Sequence, residues 1–493
     1  MEKDFIDFKH SLEVLQKLNA VTLDGVPLIN AFFIGSYNIW HTYQSRLFAL
    51  IQEHDFKKDV TLKSGEGARL GLRWFIAGMV SVTLSVVALL ILILCRKKVL
   101  VYSVDKAHSR FGSDTRLDDV YQSLKKNRLP FTECFHTFLG RDFRRNILKR
   151  KRPALYLESL DFIYDVLAVL HIVAPPMKID TARLDMSHFE DEREKAFALT
   201  LIEAYVHRTR IFKFKTKILS RVLSMTSVTY LFGTDDPRAY FELLLACKEN
   251  GIACSVFQHG SITKYHVGWL HALHATGDVI KPDKIFVWSN FWKEELLRLG
   301  TYYTPEEIEV SGAPEALRMH VSEKVTHEGI RILVPHERAA SKEEVRQYIL
   351  RFIACGAKVF FKVRPGVDGS LQLREYSFEK NTWGESFVVI DTLEGILNEI
   401  DFVAGTYSTF LYDMVAYGKL VICMKTKVDY GEGMLVNDLV EPLDIHDDVC
   451  AKLHSFLDIP HEKLDQRKER LFETGGKRME DTLDKLLSTV MRG

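Results

Sequence analysis

The sequence predicts an α/β protein built from two Rossmann-like domains that face each other across a cleft. Short apolar stretches alternate with amphipathic helical stretches, and the alternation restarts after a polar linker at about 315–328. Strands that alternate with helices form parallel sheets covered by helices on both faces. A further observation, an uncharged stretch at 74–95, predicts a membrane helix that follows an N-terminal helical region.

The predicted division of the chain follows from these patterns. It comprises a helical or interfacial region at 1–72, a membrane helix at 74–95, Rossmann-like domains at 99–314 and 315–475, and a C-terminal helix at 476–493. A chain of 493 residues is long enough for about three domains.

The stretch from Trp74 to Cys95 contains 22 residues without a charge. At about 1.5 Å per residue such a helix is about 33 Å long, which is enough to cross the hydrocarbon core. A buried core helix and a monotopic or re-entrant segment are the alternatives. Basic residues flank both ends, so the positive-inside bias leaves the orientation of 1–72 open.

Charge is balanced over the whole chain but concentrated locally. Lysine plus arginine and aspartate plus glutamate both total 66, which disfavours a nucleic-acid partner. Two basic runs occur at 141–152 and 208–221. Solvated helix faces explain such runs, but in a chain with a membrane segment they also favour contact with anionic lipid headgroups. We therefore expect a membrane-associated protein.

The seven cysteines are scattered and include no CxxC pair. This pattern disfavours a secreted disulfide framework and a cysteine zinc site. We expect all of them to be reduced core residues, which places the large C-terminal part in the cytoplasm.

Each domain has its own series of predicted strands. Those of the first domain are 97–105, 154–160, 228–236, 252–260, 284–289 and 307–314. Those of the second are 331–337, 358–365, 387–391, 401–405 and 420–425. The predicted helices are about 190–221, 237–250, 290–299, 341–354, 393–400, 408–417 and 461–491, several of them closed by a glycine.

Ligands of open parallel sheets bind at the carboxyl ends of the strands, so residues that follow a strand are the candidates. Gly405 ends one strand, and Ser408 and Thr409 stand at the helix start that follows. Free N–H groups there favour an anion such as a phosphate, although simple N-capping is the alternative. Neither GxGxxG nor GxxxxGK[ST] occurs, which disfavours dinucleotide-dependent dehydrogenases and P-loop NTPases.

The first domain offers candidates for a general base. His259 follows a strand and precedes Gly260, and a histidine is the side chain best suited to accept and release a proton at physiological pH. Asp235 and Asp236 are the alternative, because adjacent carboxylates raise each other's pKa. A histidine that only holds its loop is the third interpretation. The sequence contains no convincing cluster of metal ligands, and we expect a metal-independent reaction.

Five segments in this order resemble GT-B-fold glycosyltransferases of bacterial surface polysaccharide assembly. They are FQHGSITKYH, KIFVWSNFWKEELLRLG, EIEVSGAPEALR, FFKVRP and GTYSTFLYDMVAYGKLVI, which lie within about 228–425. The group includes capsule sialyl- and Kdo-transferases and, more distantly, CDP-glycerol glycerophosphotransferases. Ser408-Thr409 matches the donor-binding Ser-Thr motif, whereas Arg364-Pro365 replaces the His-Pro motif. Asp235-Asp236-Pro237 lacks the glycine of the acidic base motif found in sialyltransferases.

The resemblance implies transfer of a sugar, or a polyol phosphate, from a CMP-, CDP- or UDP-linked donor to a glycan or lipid-linked acceptor, without a further cofactor. The first domain would bind the acceptor and the second the nucleotide donor. The expected catalytic residues are His259, Asp235 and Asp236. The expected donor-binding residues are His336, Arg338, Arg364, Thr406, Ser408 and Thr409, and the expected acceptor-binding residues are Gln258, Gly260, Lys264 and His266.

Two other functions remain open at this point. UDP-sugar 2-epimerases share the GT-B fold but are soluble, so the apolar stretch and the basic runs disfavour that activity. A non-catalytic GT-B scaffold in a membrane polysaccharide complex is the other alternative, and the altered His-Pro motif favours it.

Overall fold

A computed structural model describes most of the chain. The described residues are 5–56, 72–96, 98–103, 117–135, 154–173, 179–235, 240–270, 276–314, 328–364, 369–378, 384–427, 431–474 and 476–492. Asp236, Pro365 and the basic run at 141–152 lie outside these ranges.

The first domain is built on a seven-stranded sheet in which all neighbouring strands are parallel. Its strands are β1 (Val99–Ser103), β2 (Phe131–Phe135), β3 (Ala154–Tyr156), β4 (Tyr230–Thr234), β5 (Ala253–Phe257), β6 (Lys284–Val287) and β7 (Ile308–Val310). Their order across the sheet is β7-β6-β5-β4-β1-β2-β3. The strand order therefore reverses between β1 and β4.

The second domain repeats this plan with six parallel strands. They are β8 (Arg331–Pro335), β9 (Lys358–Lys362), β10 (Phe387–Ile390), β11 (Phe402–Gly405), β12 (Leu420–Met424) and β13 (Glu441–Leu443). The order is β10-β9-β8-β11-β12-β13, so the reversal falls between β8 and β11. Two Rossmann-like domains with parallel sheets confirm the predicted GT-B-type fold class.

Helices cover both parallel sheets and, with short antiparallel strands between residues 22 and 38, form the N-terminal region. They are α1 (Phe8–Ala20), α2 (Trp40–Phe56), α3 (Leu72–Leu94), α4 (Asp118–Lys126), α5 (Glu158–Val169), α6 (Glu192–Ser224), α7 (Phe241–Glu249), α8 (Asn290–Arg298), α9 (Lys342–Ala354), α10 (Gly369–Glu375), α11 (Thr409–Ala416), α12 (Glu432–Val436), α13 (Val449–Leu457), α14 (His461–Phe472) and α15 (Met479–Arg492). The last helix returns to the first domain, where Asp484 accepts a hydrogen bond of 2.6 Å from Lys126 on α4.

The strands are buried because their side chains are apolar on both faces, as expected for parallel sheets. Phe232, Phe257 and Phe286 occupy neighbouring positions on β4, β5 and β6, with ring centroids 6.1 and 5.0 Å apart. They belong to an apolar cluster that includes Met479 and Leu483 of α15. The C-terminal helix is thus part of the core of the first domain.

The secondary structure departs from the prediction in several places. Residues 158–160 of the predicted strand 154–160 belong to α5, and the predicted helix 461–491 is divided into α14 and α15. The segment 394–399 forms turns instead of a helix. β2 was not predicted, because buried Thr132 and Glu133 interrupt its apolar pattern. β13 was also not predicted, because it contains Pro442. A strand tolerates proline at the edge of a sheet, and β13 is an edge strand.

The expectation that all seven cysteines are reduced is wrong for one pair. Cys355 follows the last residue of α9, and Cys450 lies in the first turn of α13. Their Cα atoms are 5.3 Å apart and their sulfurs form a disulfide across 95 residues of sequence. Sequence spacing cannot reveal this pair, because only the tertiary fold brings the two helices together.

α3 packs against the first domain through one face and exposes the other. Small side chains face inward: Gly78 has no room for a Cβ beside the Phe162 ring, and the Ser85 hydroxyl accepts a 2.9 Å hydrogen bond from Tyr156 N of β3. The exposed face is apolar and consists of Phe75, Ile76, Met79, Val80, Val86, Val87, Leu90 and Leu94. Among the described residues, Trp74–Leu94 is the one helix long and apolar enough to cross a membrane.

Candidate functional site

A cleft of about 710 Å³ lies between the two domains, within the size range of small-molecule sites. Its walls come from the loop after β5, from the ends of β8 and β9 with the loop before α11, and from the N-terminal helices α1 and α2. The carboxyl ends of both sheets therefore meet at this cleft, as open α/β sheets require of a binding site.

His259 and Asp235 form a dyad on the first-domain side. The register of β4 and β5 pairs Thr234 with Phe257, so the residues that follow these strands lie side by side. Asp235 Oδ1 accepts a 3.1 Å hydrogen bond from His259 N and also contacts the ring nitrogen His259 Nδ1. The Asp235 side chain is completely buried, and that of His259 is 25% exposed.

This geometry sets the chemistry of the histidine. A carboxylate at Nδ1 retains the proton on that nitrogen, which leaves Nε2 as the basic nitrogen. Trp269 fixes the backbone of Asp235, because the indole Nε1 of Trp269 donates a 2.6 Å hydrogen bond to the Asp235 carbonyl oxygen. The sequence treated His259 and Asp235 as competing bases, whereas the structure places them in one hydrogen-bonded unit. Asp236 lies outside the described residues.

The four predicted acceptor residues separate into two pairs. Lys264 and His266 line the cleft, and the His266 ring stacks on Trp269 with centroids 4.7 Å apart. Gln258 is buried, and its amide holds the loop by accepting from Trp288 N (3.0 Å) and donating to the Gly260 carbonyl (2.8 Å). Neither Gln258 nor Gly260 is among the residues that line the cleft.

Glu337 occupies the predicted anion site of the second domain. Its buried carboxylate accepts hydrogen bonds from the backbone N–H groups of Thr406 (2.7 Å), Tyr407 (3.0 Å) and Ser408 (2.8 Å). The Thr406 hydroxyl donates a fourth bond of 2.7 Å. The N–H groups that the sequence assigned to a donor phosphate are therefore already satisfied by a side chain of the protein. Thr406 is buried and does not line the cleft.

Cationic and imidazole groups line the cleft on the same side as this carboxylate. His336, Arg338, Lys362 and Arg364 all line the cleft. His336 Nε2 lies 3.0 Å from Glu375, and burial lowers the pKa of His336. Burial also lowers the pKa of Lys362. Within the described parts of the chain, the guanidinium of Arg364 has no hydrogen-bond or ion-pair partner, so it is available to a phosphate.

A pair of hydroxyl groups joins the two walls. Ser261 Oγ of the first domain and Thr409 Oγ1 of the second are 3.0 Å apart. Ser408 caps α11 by accepting a 3.3 Å hydrogen bond from Phe410 N, as its position at the helix start predicts. Both Ser408 and Thr409 line the cleft.

Sequence reasoning missed several of these residues. Glu337 was visible as a strand-end acid, but no local pattern shows that its carboxylate folds back onto a loop 69 residues later. Ser261 and Trp269 gave no signal of their own, because each acts through a partner distant in sequence. In the described ranges, no group of three or more His, Cys, Asp or Glu side chains is arranged to hold a metal ion.

No protein-family model matches the sequence, and no curated protein matches it. Similar solved structures include the glycosyltransferase of kitacinnamycin (10% identity, 80% of this chain and 99% of that one, TM-score 0.47). A second example is MurG of Acinetobacter baumannii, at 8% identity over 80% of this chain and 100% of that one, with a TM-score of 0.43. A third is the UDP-GlcNAc 2-epimerase of Methanocaldococcus jannaschii, at 12% identity over 80% of this chain and 99% of that one, with a TM-score of 0.42. The fold assignment rests on the sheet topology described above, and these likenesses decide no step of the chemistry.

We expect Glu337→Gln to destabilise the second domain. The glutamine amide carries no charge, and its NH₂ group faces backbone N–H groups that are also donors. Loss of charged hydrogen bonds of this kind lowers the free energy of unfolding by roughly 2 kcal/mol. Thermal unfolding should show a Tm several degrees lower than that of Glu385→Gln, an exposed control of the same chemistry. Equal melting temperatures for the two variants would contradict the role of the Glu337 carboxylate.

Proposed function

We propose that this protein is a membrane-associated glycosyltransferase that moves a sugar, or a polyol phosphate, from a nucleotide-linked donor to a glycan or lipid-linked acceptor. The observation that carries the proposal is the His259–Asp235 dyad, which shares one cleft with Arg338, Lys362 and Arg364 of the opposite domain. A base on one wall and phosphate-binding cations on the other are the two requirements of transfer from a nucleotide sugar.

The second domain would hold the donor. The Arg364 guanidinium has no partner among the described residues and can pair with a phosphate through two parallel N–H···O bonds, and Arg338 and Lys362 add positive charge. Because Glu337 already fills the N–H groups of residues 406–408, the phosphates would rest on side chains instead of on that loop. Ser408 and Thr409 contribute hydroxyl groups at its edge.

The first domain would activate the acceptor. When a sugar is transferred, an acceptor hydroxyl attacks the anomeric carbon, and His259 Nε2 takes its proton as the new C–O bond forms. The bond from the anomeric carbon to the phosphate oxygen breaks, and the electron pair leaves with the nucleotide. Buried Asp235 stabilises the imidazolium that results, and Arg364 offsets the charge on the leaving phosphate. No step of this sequence calls on a metal ion, so we propose that the reaction is metal-independent.

The two alternatives fit the geometry less well. A scaffold without activity has no need of a buried carboxylate that fixes the tautomer of a histidine in the cleft. An epimerase acts on a soluble nucleotide sugar, and it has no need of the exposed apolar face of α3.

We propose that α3 attaches the protein to the membrane by its exposed face. A helix whose small-residue face is packed on β3 and α5 is not free to cross a bilayer alone, so the monotopic alternative is favoured. The disulfide between Cys355 and Cys450 removes the argument from reduced cysteines for a cytoplasmic second domain. The proposal therefore leaves the side of the membrane open.

The dyad is tested by transfer from CMP-, CDP- and UDP-linked sugars in the presence of EDTA. We expect His259→Ala to lose two or more orders of magnitude in kcat while nucleotide binding is retained. Asp235→Asn should lose a comparable factor in kcat. The double variant should lose little more in kcat than either single variant, because the two groups act as one unit. His446→Ala, an exposed histidine outside the cleft, is the control.

Normal turnover by His259→Ala would rule out His259 as the base. A strict requirement for a divalent cation would contradict the metal-independent mechanism. Transfer of no sugar by the wild-type protein, despite tight nucleotide binding, would favour the scaffold.

Membrane attachment is tested with a matched pair of substitutions. Leu90 on α3 is 52% exposed and Leu371 on α10 is 51% exposed. We expect Leu90→Glu to move most of the protein from the membrane to the soluble fraction, because a charge on the apolar face opposes insertion. Leu371→Glu should stay with the membrane. The same distribution for both variants would contradict a docking role for this face of α3.

A further inference from the structure

The helices α1 and α2 lie across the cleft and contact both domains. The N–H of Ile6, just before α1, donates a 3.0 Å hydrogen bond to the Ala339 carbonyl of the second domain. Glu53, near the end of α2, lies 3.6 Å from Arg338 of the same domain. At its other end α2 packs on the first domain, where the His41 ring meets Tyr302 at 5.2 Å.

One face of α2 forms a wall of the cleft. Ser45, Phe48, Ala49 and Gln52 line it, and their spacing of three, one and three residues places them on one side of a helix. Phe8 of α1 completes this wall, with its ring 5.2 Å from Tyr265 of the first domain and 6.3 Å from Tyr407 of the second. We refer to Phe8, Ser45, Phe48, Ala49 and Gln52 as the N-terminal wall.

The polar groups of the N-terminal wall are available to a ligand. Neither Ser45 nor Gln52 has a hydrogen-bond partner in the part of the chain that the structure describes. Two other polar side chains of α2 are bonded within the protein: Gln44 accepts a 2.7 Å bond from Asn19, and the Thr42 hydroxyl donates a 2.6 Å bond to the Ile39 carbonyl. Ser45 and Gln52 are polar groups of α2 that face the cleft and can bond a ligand.

The composition of this wall selects a chemical class. It carries a hydroxyl, an amide and two phenyl rings but no charge, so it does not match the phosphates of a donor. Amides and hydroxyls bind the hydroxyl groups of a sugar, and aromatic rings pack against its C–H faces. Together with Trp269 and Tyr265, which also line the cleft, the wall suits a neutral, hydroxyl-rich ligand.

We propose that the N-terminal wall is the subsite for the acceptor sugar. The proposal rests on the glycosyltransferase function and extends it, since it makes residues 5–56 part of the active site and not an appendage. The N-terminal region leads along the chain to α3, so this subsite lies on the part of the protein that is joined to the proposed membrane anchor.

Two substitutions test the subsite. The probes are p-nitrophenyl glycosides of glucose, galactose, mannose and N-acetylglucosamine, with binding measured by saturation-transfer NMR, and UDP, with binding measured by calorimetry. We expect Gln52→Ala to weaken glycoside binding about tenfold, as loss of hydrogen bonds to a ligand does, without changing the UDP affinity. Ala49→Phe should abolish glycoside binding by filling the cleft, and circular dichroism is the check that this variant folds.

Gln16→Ala is the matched control, because Gln16 is an exposed glutamine on α1 outside the cleft. Absence of glycoside binding by the wild-type protein, or equal affinities for Gln52→Ala and Gln16→Ala, would overturn the acceptor subsite. A loss of UDP affinity in Gln52→Ala would overturn it too and assign the wall to the donor. Failure of the wild-type protein to bind UDP would instead contradict the proposed function.

Discussion

The carboxylate of Glu337 is the interaction on which the second half of the site depends. It follows β8, and its four hydrogen bonds end at the loop after β11, so it joins the two strands between which the strand order reverses. Open α/β sheets bind ligands at such a point because the loops on either side separate there. Here the Glu337 carboxylate occupies the anion site at the N–H groups of residues 406–408. The positive charge of Arg364, which has no side-chain partner among the described residues, is then left for the substrate, with Arg338 and Lys362 beside it in the lining of the cleft.

The first domain uses its own reversal point in a complementary way. Buried Asp235 follows β4, next to the reversal, and holds both the ring and the backbone N–H of His259. The contact between Ser261 and Thr409 brings the two arrangements to opposite sides of one cleft. The N-terminal helices close a third side, so a reactive proton acceptor, a basic wall and a neutral wall surround the same volume. This distribution of charge is what makes sugar transfer the function that the geometry favours.

The sequence predicts the two parallel sheets well because their buried strands are continuous apolar runs bounded by glycine, proline or polar residues. It also predicts that strand-end residues such as His259 and Arg364 reach the cleft, since this follows from the geometry of parallel strands. It could not predict the Glu337 contacts, the dyad or the Cys355–Cys450 pair, because each joins segments that only the tertiary fold brings together. The sequence also could not predict the wall formed by α2. Helical periodicity shows which face of a helix is buried, but not which other element covers that face.

The most direct test of this account is the affinity for UDP of the wild-type protein and of Arg364→Ala, measured by calorimetry. Arg364 is the cation of the cleft without a protein partner among the described residues, so its loss should weaken UDP binding about tenfold or more. Arg374→Ala, an exposed arginine outside the cleft, should bind UDP as the wild-type protein does. Equal affinities for all three proteins, or no binding at all, would contradict a nucleotide-donor site at the carboxyl ends of the second sheet.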